Sequence, residues 1–270
     1  MRQSSFSACS NRLLAVFLLL LTSLLPVAGR AGSAPGLPPL RVRPIAPGVF
    51  VPTVYGRPRG SAGPVASNGL LVRTSQGILL VDTAWDPDQT RQLLQWVADS
   101  LHERVRLAII TQAATARPGG LAVLRSQHIR VYSSPATAAR WHQQYPQQLA
   151  PTAALKPCTL IRAGRTRLEL FFPGPGQTPD NVVAWLPRHR ILFGGALVRP
   201  QAATGLGPGP EANLKQWPGS LRAMQRRYAK ARVVVPAHGL SGDLRLLTHT
   251  QDLLRKEARR QPQTALSGQP

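Results

Sequence analysis

The stretch Ala108-Ile109-Ile110-Thr111-Gln112-Ala113-Ala114-Thr115-Ala116-Arg117-Pro118-Gly119-Gly120 decides how the rest of the chain is read. The apolar, β-branched run from Leu107 to Ile110 predicts a buried strand. Thr111 then begins a polar turn that ends in Pro118-Gly119-Gly120 and opens a helix. A strand-to-helix turn is a natural place to hold catalytic side chains. This one carries no His, Cys, Asp or Glu.

The flanking segments give the stretch its context. Asn68-Gly69-Leu70-Leu71-Val72-Arg73, the turn Ser75-Gln76-Gly77 and Ile78-Leu79-Leu80-Val81-Asp82 predict a hairpin. Asp86-Pro87 is an N-cap followed by proline at the first helical position, and Leu93, Leu94, Val97 and Leu101 form an apolar stripe, so 87–103 is expected to be an amphipathic helix. Beyond the central turn come a short helix from Pro118 to Gln127, a strand at Ile129–Tyr132 and a helix capped by Ser134-Pro135. The second half repeats the pattern. Thr159–Ile161 pairs with Arg167–Phe171, and Val182–Leu186 with Ile191–Phe193. Arg232–Ala237 is a further buried strand, and Ser241-Gly242-Asp243 caps a last helix with Leu246, Leu247, Leu253 and Leu254 on one side.

Six segments in order carry a resemblance to the secreted di-zinc metallo-β-lactamases, subclass B1-like, between about Val49 and Leu254. In that family the central strand ends in Thr-His-x-His-x-Asp-(Arg/Lys)-x-Gly-Gly; here the three ligand positions are Gln112, Ala114 and Ala116. The family's Pro-Gly-x-Gly-His-Thr-x-Asp-Asn segment appears as Pro173 to Asn181 with Gln177 in place of the His, and Phe-Gly-Gly-Cys appears as Phe193-Gly194-Gly195-Ala196. Pro236-Ala237-His238-Gly239 keeps the last ligand. The resemblance implies an α/β, four-layer αββα sandwich. It also implies that Asp82 shapes the pocket from behind the ligands. Arg199 stands where the family places a cation for the substrate carboxylate, and Asn213 where an Asn helps hold the lactam carbonyl. A mobile loop over the site would here present Arg57 and Arg59.

The family's chemistry needs zinc, which moves the pKa of water from about 15.7 to about 7, roughly 12 kcal/mol of nucleophile activation. Zinc asks for four converging His, Cys or carboxylate donors. Gln112, Ala114, Ala116, Gln177, Ala196 and His238 offer one good ligand, so no metal and no cofactor is expected where the family would use two zinc ions. A metal-free base built from His238 with Asp82 or Asp180 lacks a nucleophile and is a weak catalyst. The sequence therefore points to a non-catalytic relative that binds a small carboxylate or anionic envelope component through Arg199, Asn213, Arg57 and Arg59. Two alternatives stand beside it. One is a β-lactamase or related amide or ester hydrolase with an atypical or metal-free site, and the other is a basic envelope-adhesion protein.

Bulk properties bear on location. Arg2 and Arg12 precede the apolar run Leu13–Leu21, continued to Leu25, and Val27-Ala28-Gly29 offers a cleavage site, so 1–29 reads as an export signal. The run is short of the about 20 residues that span a bilayer. A periplasmic or secreted destination is expected, with a flexible Pro/Gly-rich leader at 30–47, the domain at 48–258 and a basic polar tail at 259–270. Cys9 leaves with the signal, and Cys158 is expected to be a small buried filler. The net charge of +22 rests almost wholly on arginine. In an exported protein this favours weak adhesion to anionic lipids or glycans over nucleic acid. The basic residues are scattered, apart from Arg222, Arg226, Arg227 and Lys230 at helical spacing and the run Arg255–Arg260.

Overall fold

The computed structural model describes residues 37–57, 61–113, 120–207, 209 and 211–266, with side chains described as far as 260. The expected signal at 1–29 lies outside them, as do Arg59, Ala114 and Ala116. One sheet contains β1 (Arg41–Ala46), β2 (Val49–Gly56), β3 (Val65–Asn68), β4 (Leu70–Thr74), β5 (Gly77–Val81), β6 (Val105–Ile109), β7 (Arg130–Ser133) and β8 (Thr152–Ala153). Its order is β1-β2-β4-β5-β6-β7-β8, with β3 also on β2. The other contains β9 (Cys158–Ala163), β10 (Thr166–Phe171), β11 (Val183–Leu186), β12 (Ile191–Gly195) and β13 (Val233–Pro236), in the order β13-β12-β11-β10-β9. The helices are α1 (Pro87–Leu101), α2 (Gly120–Ser126), α3 (Pro135–Gln144), α4 (Trp217–Arg227) and α5 (Arg245–Leu266).

The period-two alternation of the strands assigns each side chain to a layer. Leu70, Val72, Leu79, Val81 and Ile109 of the first sheet meet Leu168, Leu170, Ala184, Leu186, Ile191, Phe193 and Val235 of the second in one buried core. Leu71, Ile78, Leu80 and Ala108 face the other way and pack with Leu93, Val97, Leu121, Leu124 and Trp141 of α1, α2 and α3. Val183, Trp185, Leu192 and Val234 pack with Trp217, Leu221, Met224, Leu246 and Leu247 of α4 and α5. These three cores make the four layers α, β, β, α. Each fully buried Val, Leu or Phe contributes about 1.5–3 kcal/mol, so apolar burial is the main support of the layering.

The helix starts follow their sequence signals. Asp86 Oδ1 accepts from Gln89 N at 2.8 Å at the head of α1, and Ser134 Oγ accepts from Thr137 N at 3.0 Å at the head of α3. The boundaries differ at both ends of the domain. β1 pairs antiparallel with β2 inside the stretch expected to be a flexible leader, so regular structure is present by Arg41. A mostly exposed strand carrying Pro44 at the sheet edge has no apolar alternation to announce it. α5 runs on to Leu266, past the expected start of the tail. Cys158 is exposed rather than buried, because it opens β9, the outermost strand of its sheet.

β5, β6 and β7 are parallel, and so are β12 and β13. Their C-terminal ends gather at one end of the sandwich. There the sheets are tied by Asn68 N to Ala237 O at 2.7 Å and by Val182 N to Thr111 O at 2.9 Å. At the opposite end a side chain at Gly164, in the β9–β10 turn with φ 59°, would collide with Ser75 in the β4–β5 turn, so the two turns are in close contact.

Candidate functional site

The strand ends that meet at the C-terminal end carry the residues singled out from the sequence. Asp82 follows β5 with φ 59°, a left-handed conformation that Asp tolerates better than most residues. Its carboxylate fixes the next strand end: Oδ1 accepts from Thr111 N at 2.9 Å and Oδ2 from Thr111 Oγ1 at 2.8 Å. Asp82 is 2 % exposed, so these bonds answer a desolvated charge. Gln112, the next residue, is also buried, and its Oε1 accepts from Thr178 Oγ1 at 3.1 Å. Thr178 N and Oγ1 both donate to Asn181 Oδ1, at 3.0 and 3.2 Å. Gln177 is half-buried beside Thr178, and a Cβ placed on Gly209 would lie 3.5 Å from its Cγ.

Asp180 is 1 % exposed, and its Oδ2 accepts from Ala113 N at 2.8 Å. Its Oδ1 faces Arg140 Nε at 3.5 Å, an ion pair without the alignment of a hydrogen bond. Arg140 also bridges outward to Glu211. Sequence reading had not marked Arg140. It sits on α3 between the buried Thr137 and Trp141, and a single Arg in an Ala-rich helix gives no pattern to detect.

Across the cleft, Ala196 is buried just past β12, and the Cβ that Gly195 lacks would lie 4.0 Å from Thr111 Oγ1. Ala237 N donates to Gly195 O at 2.9 Å, which brings the β13 end alongside. His238 is half-buried there, with Nδ1 2.6 Å from Ala66 O. A carbonyl can only accept, so this bond selects the tautomer protonated on Nδ1. Asn68 Nδ2 donates to Pro236 O and Gly239 O at 2.9 and 2.7 Å and holds the His238 turn in place.

Of the ligand-binding candidates, Arg199 is 7 % exposed, with its guanidinium carbon 5.5 Å from the Trp217 ring centre. Burial pulls its pKa down to about 10, and its Nε has no hydrogen-bond partner. Asn213 does not point its amide at the cleft. Its Oδ1 accepts from Gln216 N at 2.9 Å and its Nδ2 donates to Gln216 Oε1 at 3.0 Å, so both ends close the turn into α4. Arg57 is exposed at the end of β2.

A scan of family models returns no match. The chain is nevertheless 40 % identical over 207 residues to the type 2 metallo-β-lactamase of Bacillus sp. (strain 170), covering 77 % of this chain and 79 % of that protein. It is 33 % identical over 220 residues to the type 2 enzyme of Pseudomonas aeruginosa, covering 82 % and 85 %. The chain belongs to the metallo-β-lactamase family. Among solved structures, the metallo-β-lactamase from Pontibacter korlensis superposes with TM-score 0.75 at 38 % identity, over 80 % of this chain and 99 % of that one. FIM-1 from Pseudomonas aeruginosa, in its mono-zinc form, superposes with TM-score 0.75 at 34 % identity, over 83 % and 98 %. The αββα architecture is therefore the family's own, close to the B1-type enzymes.

The family's metal does not fit this donor set. Among the described residues no three His, Cys, Asp or Glu side chains cluster closely enough to hold an ion. Gln112 accepts a hydrogen bond from Thr178, Asp82 holds Thr111 with both oxygens, and Ala196 brings a methyl group. Neutral amide oxygens are hard donors that suit calcium better than zinc. His238 alone has the chemistry of a zinc ligand, and one ligand leaves the ion mostly hydrated.

Proposed function

We propose that this chain is an exported, non-catalytic metallo-β-lactamase homologue that does not hold zinc and serves as a binding protein. The observation that carries the reading is the chemistry of the strand ends. The side chains at the family's ligand positions are methyl groups and amides apart from His238, and the carboxylates that remain are bonded to neighbouring backbone. In this reading no metal-activated hydroxide is available, and the strand-end hydroxyls among the described residues are tied into the local network: Thr111 Oγ1 donates to Asp82, and Thr178 Oγ1 shares its one proton between Gln112 and Asn181.

The ligand expected at this end is a small carboxylate or anionic envelope fragment, drawn to Arg199, whose buried Nε has no hydrogen-bond partner. Asn213 is bonded to Gln216 at both ends of its amide, so Arg199 is the main anchor in this reading. Among the described residues no helix is long and apolar enough to cross a membrane.

Native mass spectrometry of the mature protein, with excess zinc and again with chelator, tests the reading. The bare polypeptide mass is expected in both. One or two retained zinc ions would return hydrolysis of a β-lactam or related amide as the leading function. For the ligand, an Arg199→Glu variant that binds anionic envelope fragments as well as wild type would remove Arg199 from the site.

A further inference from the structure

The opposite end of the sandwich holds a cavity of about 550 Å³ that the strand-end site does not use. Its floor is apolar, formed by Ile78, Leu79, Leu107 and Ile161, and Tyr132 lines one wall. Arg106, Arg130, Arg162 and His128 also line it, and no Asp or Glu does. The three arginines come from β6, β7 and β9, so both sheets contribute. Each is exposed, and none makes a salt bridge or side-chain hydrogen bond with the described residues.

Two features make this more than scattered surface charge. First, Arg162 sits directly opposite Arg167 in the β9–β10 ladder, a like-charge cross-strand pair that costs stability in isolation. Second, Gly77, at φ 103°, leaves room for Arg106: a Cβ there would lie 2.7 Å from Arg106 Cγ. The arginine stem therefore packs against a turn that its backbone glycine leaves open. The contact between Gly164 and Ser75 closes one side.

We propose that this cleft binds a compact ligand carrying several phosphate charges, either a free oligophosphate or the phosphorylated head group of a lipid. Guanidinium forks match phosphate oxygens in pairs. Three of them on the lining of one cavity, two from one sheet and one from the other, exceed what a single carboxylate can neutralise. The volume is within the roughly 300–1,000 Å³ of small-molecule sites, which favours a compact anion over a polymer. The proposal does not rest on the strand-end cleft being inactive.

Calorimetric titration of inorganic tripolyphosphate into the mature protein, at low and at moderate salt, tests it. Saturable one-to-one binding is expected, with affinity falling about tenfold for each arginine removed in Arg106→Ser, Arg130→Ser and Arg162→Ser, the scale of one charge-assisted hydrogen bond. A control with equal charge loss elsewhere, Arg222→Ser with Arg226→Ser and Lys230→Ser on the α4 side, should change affinity less than about twofold. Replacing the three cleft arginines by Lys keeps the charge and removes the forks, and should still weaken binding. Co-sedimentation with phosphatidic acid vesicles, against phosphatidylcholine vesicles, separates the sources: retention that tripolyphosphate abolishes indicates a head group, and no retention indicates a free oligophosphate. Equal losses in the cleft and control variants would overturn the proposal in favour of diffuse adhesion. Tighter binding of a single-stranded oligonucleotide, unaffected by the cleft substitutions, would overturn it in favour of a nucleic-acid surface.

Discussion

Where β5, β6, β12 and β13 finish, the buried carboxylates have partners: Asp82 holds Thr111, and Asp180 holds Ala113 and faces Arg140. Where β6 and β7 begin, Arg106 and Arg130 stand at a cavity with Arg162 and no acid among them. One end has His238 at the family's ligand positions together with internally bonded carboxylates; the other has arginines that make no salt bridge with the described residues. The second adds self-repulsion that folding alone would not favour, which makes it the better place to look for a retained task.

The largest effect expected comes from rebuilding the ligand set. Gln112→His, Ala114→His, Ala116→Asp, Gln177→His and Ala196→Cys, added to the native His238, supply the family's donors on a chain that superposes on a metallo-β-lactamase over 80 % of its length. The variant should retain zinc in native mass spectrometry. If only about 3 kcal/mol of the roughly 12 kcal/mol of water activation is recovered, turnover of a chromogenic β-lactam should rise about a hundredfold over wild type. A variant that takes up no zinc would mean that the strand ends have drifted out of ligating register, and the contrast between the two ends would extend from side chains to backbone.

A second test asks whether the remaining carboxylates hold the scaffold. Asp180→Ala leaves Ala113 N–H without its acceptor and Arg140 with Glu211 alone, and should cost about 3 kcal/mol, read by urea denaturation. Asp180→Asn keeps one acceptor and should cost less. Thr178→Val, which removes the link between Gln112 and Asn181, should cost about 1 kcal/mol. Unchanged stability in Asp180→Ala would show that the strand-end network is idle, and the two ends would no longer differ in the way argued.

The sequence announced one of these ends and not the other, for a physical reason. The strand-end residues lie in contiguous motifs such as Pro173 to Asn181 and Phe193 to Ala196, because a turn that holds a ligand must fix its neighbours too. The sandwiched strands were equally legible, since β4, β5 and β11 are near-continuous apolar runs, the pattern of strands buried on both faces. Arg106, Arg130 and Arg162 are far apart in sequence, and only the pairing of β6 with β7 and the closure of the β9–β10 turn on Ser75 bring them to one cavity. Arg140 was illegible in the same way, because its meaning depends on Asp180 from the other half of the chain. β1 and Cys158 were misread because both lie on outer strands, where burial gives little pattern.

The smallest effect is also the sharpest on the cationic end. Arg162→Thr removes the like-charge pairing with Arg167 and places a β-branched residue in β9. In the absence of anions the variant should be more stable than wild type by about 0.5 kcal/mol at low ionic strength, with the difference fading as salt screens the pair. Added tripolyphosphate should reverse the order, because the ligand stabilises the folded state in proportion to its affinity, and the variant has lost one of its contacts. Thermal denaturation at low salt, with and without the anion, reads both signs in one experiment. A variant less stable than wild type in both conditions would mean that Arg162 contributes through packing of its stem rather than through its charge. The distal arginines would then belong to the fold, as Asp82 and Asp180 do at the other end.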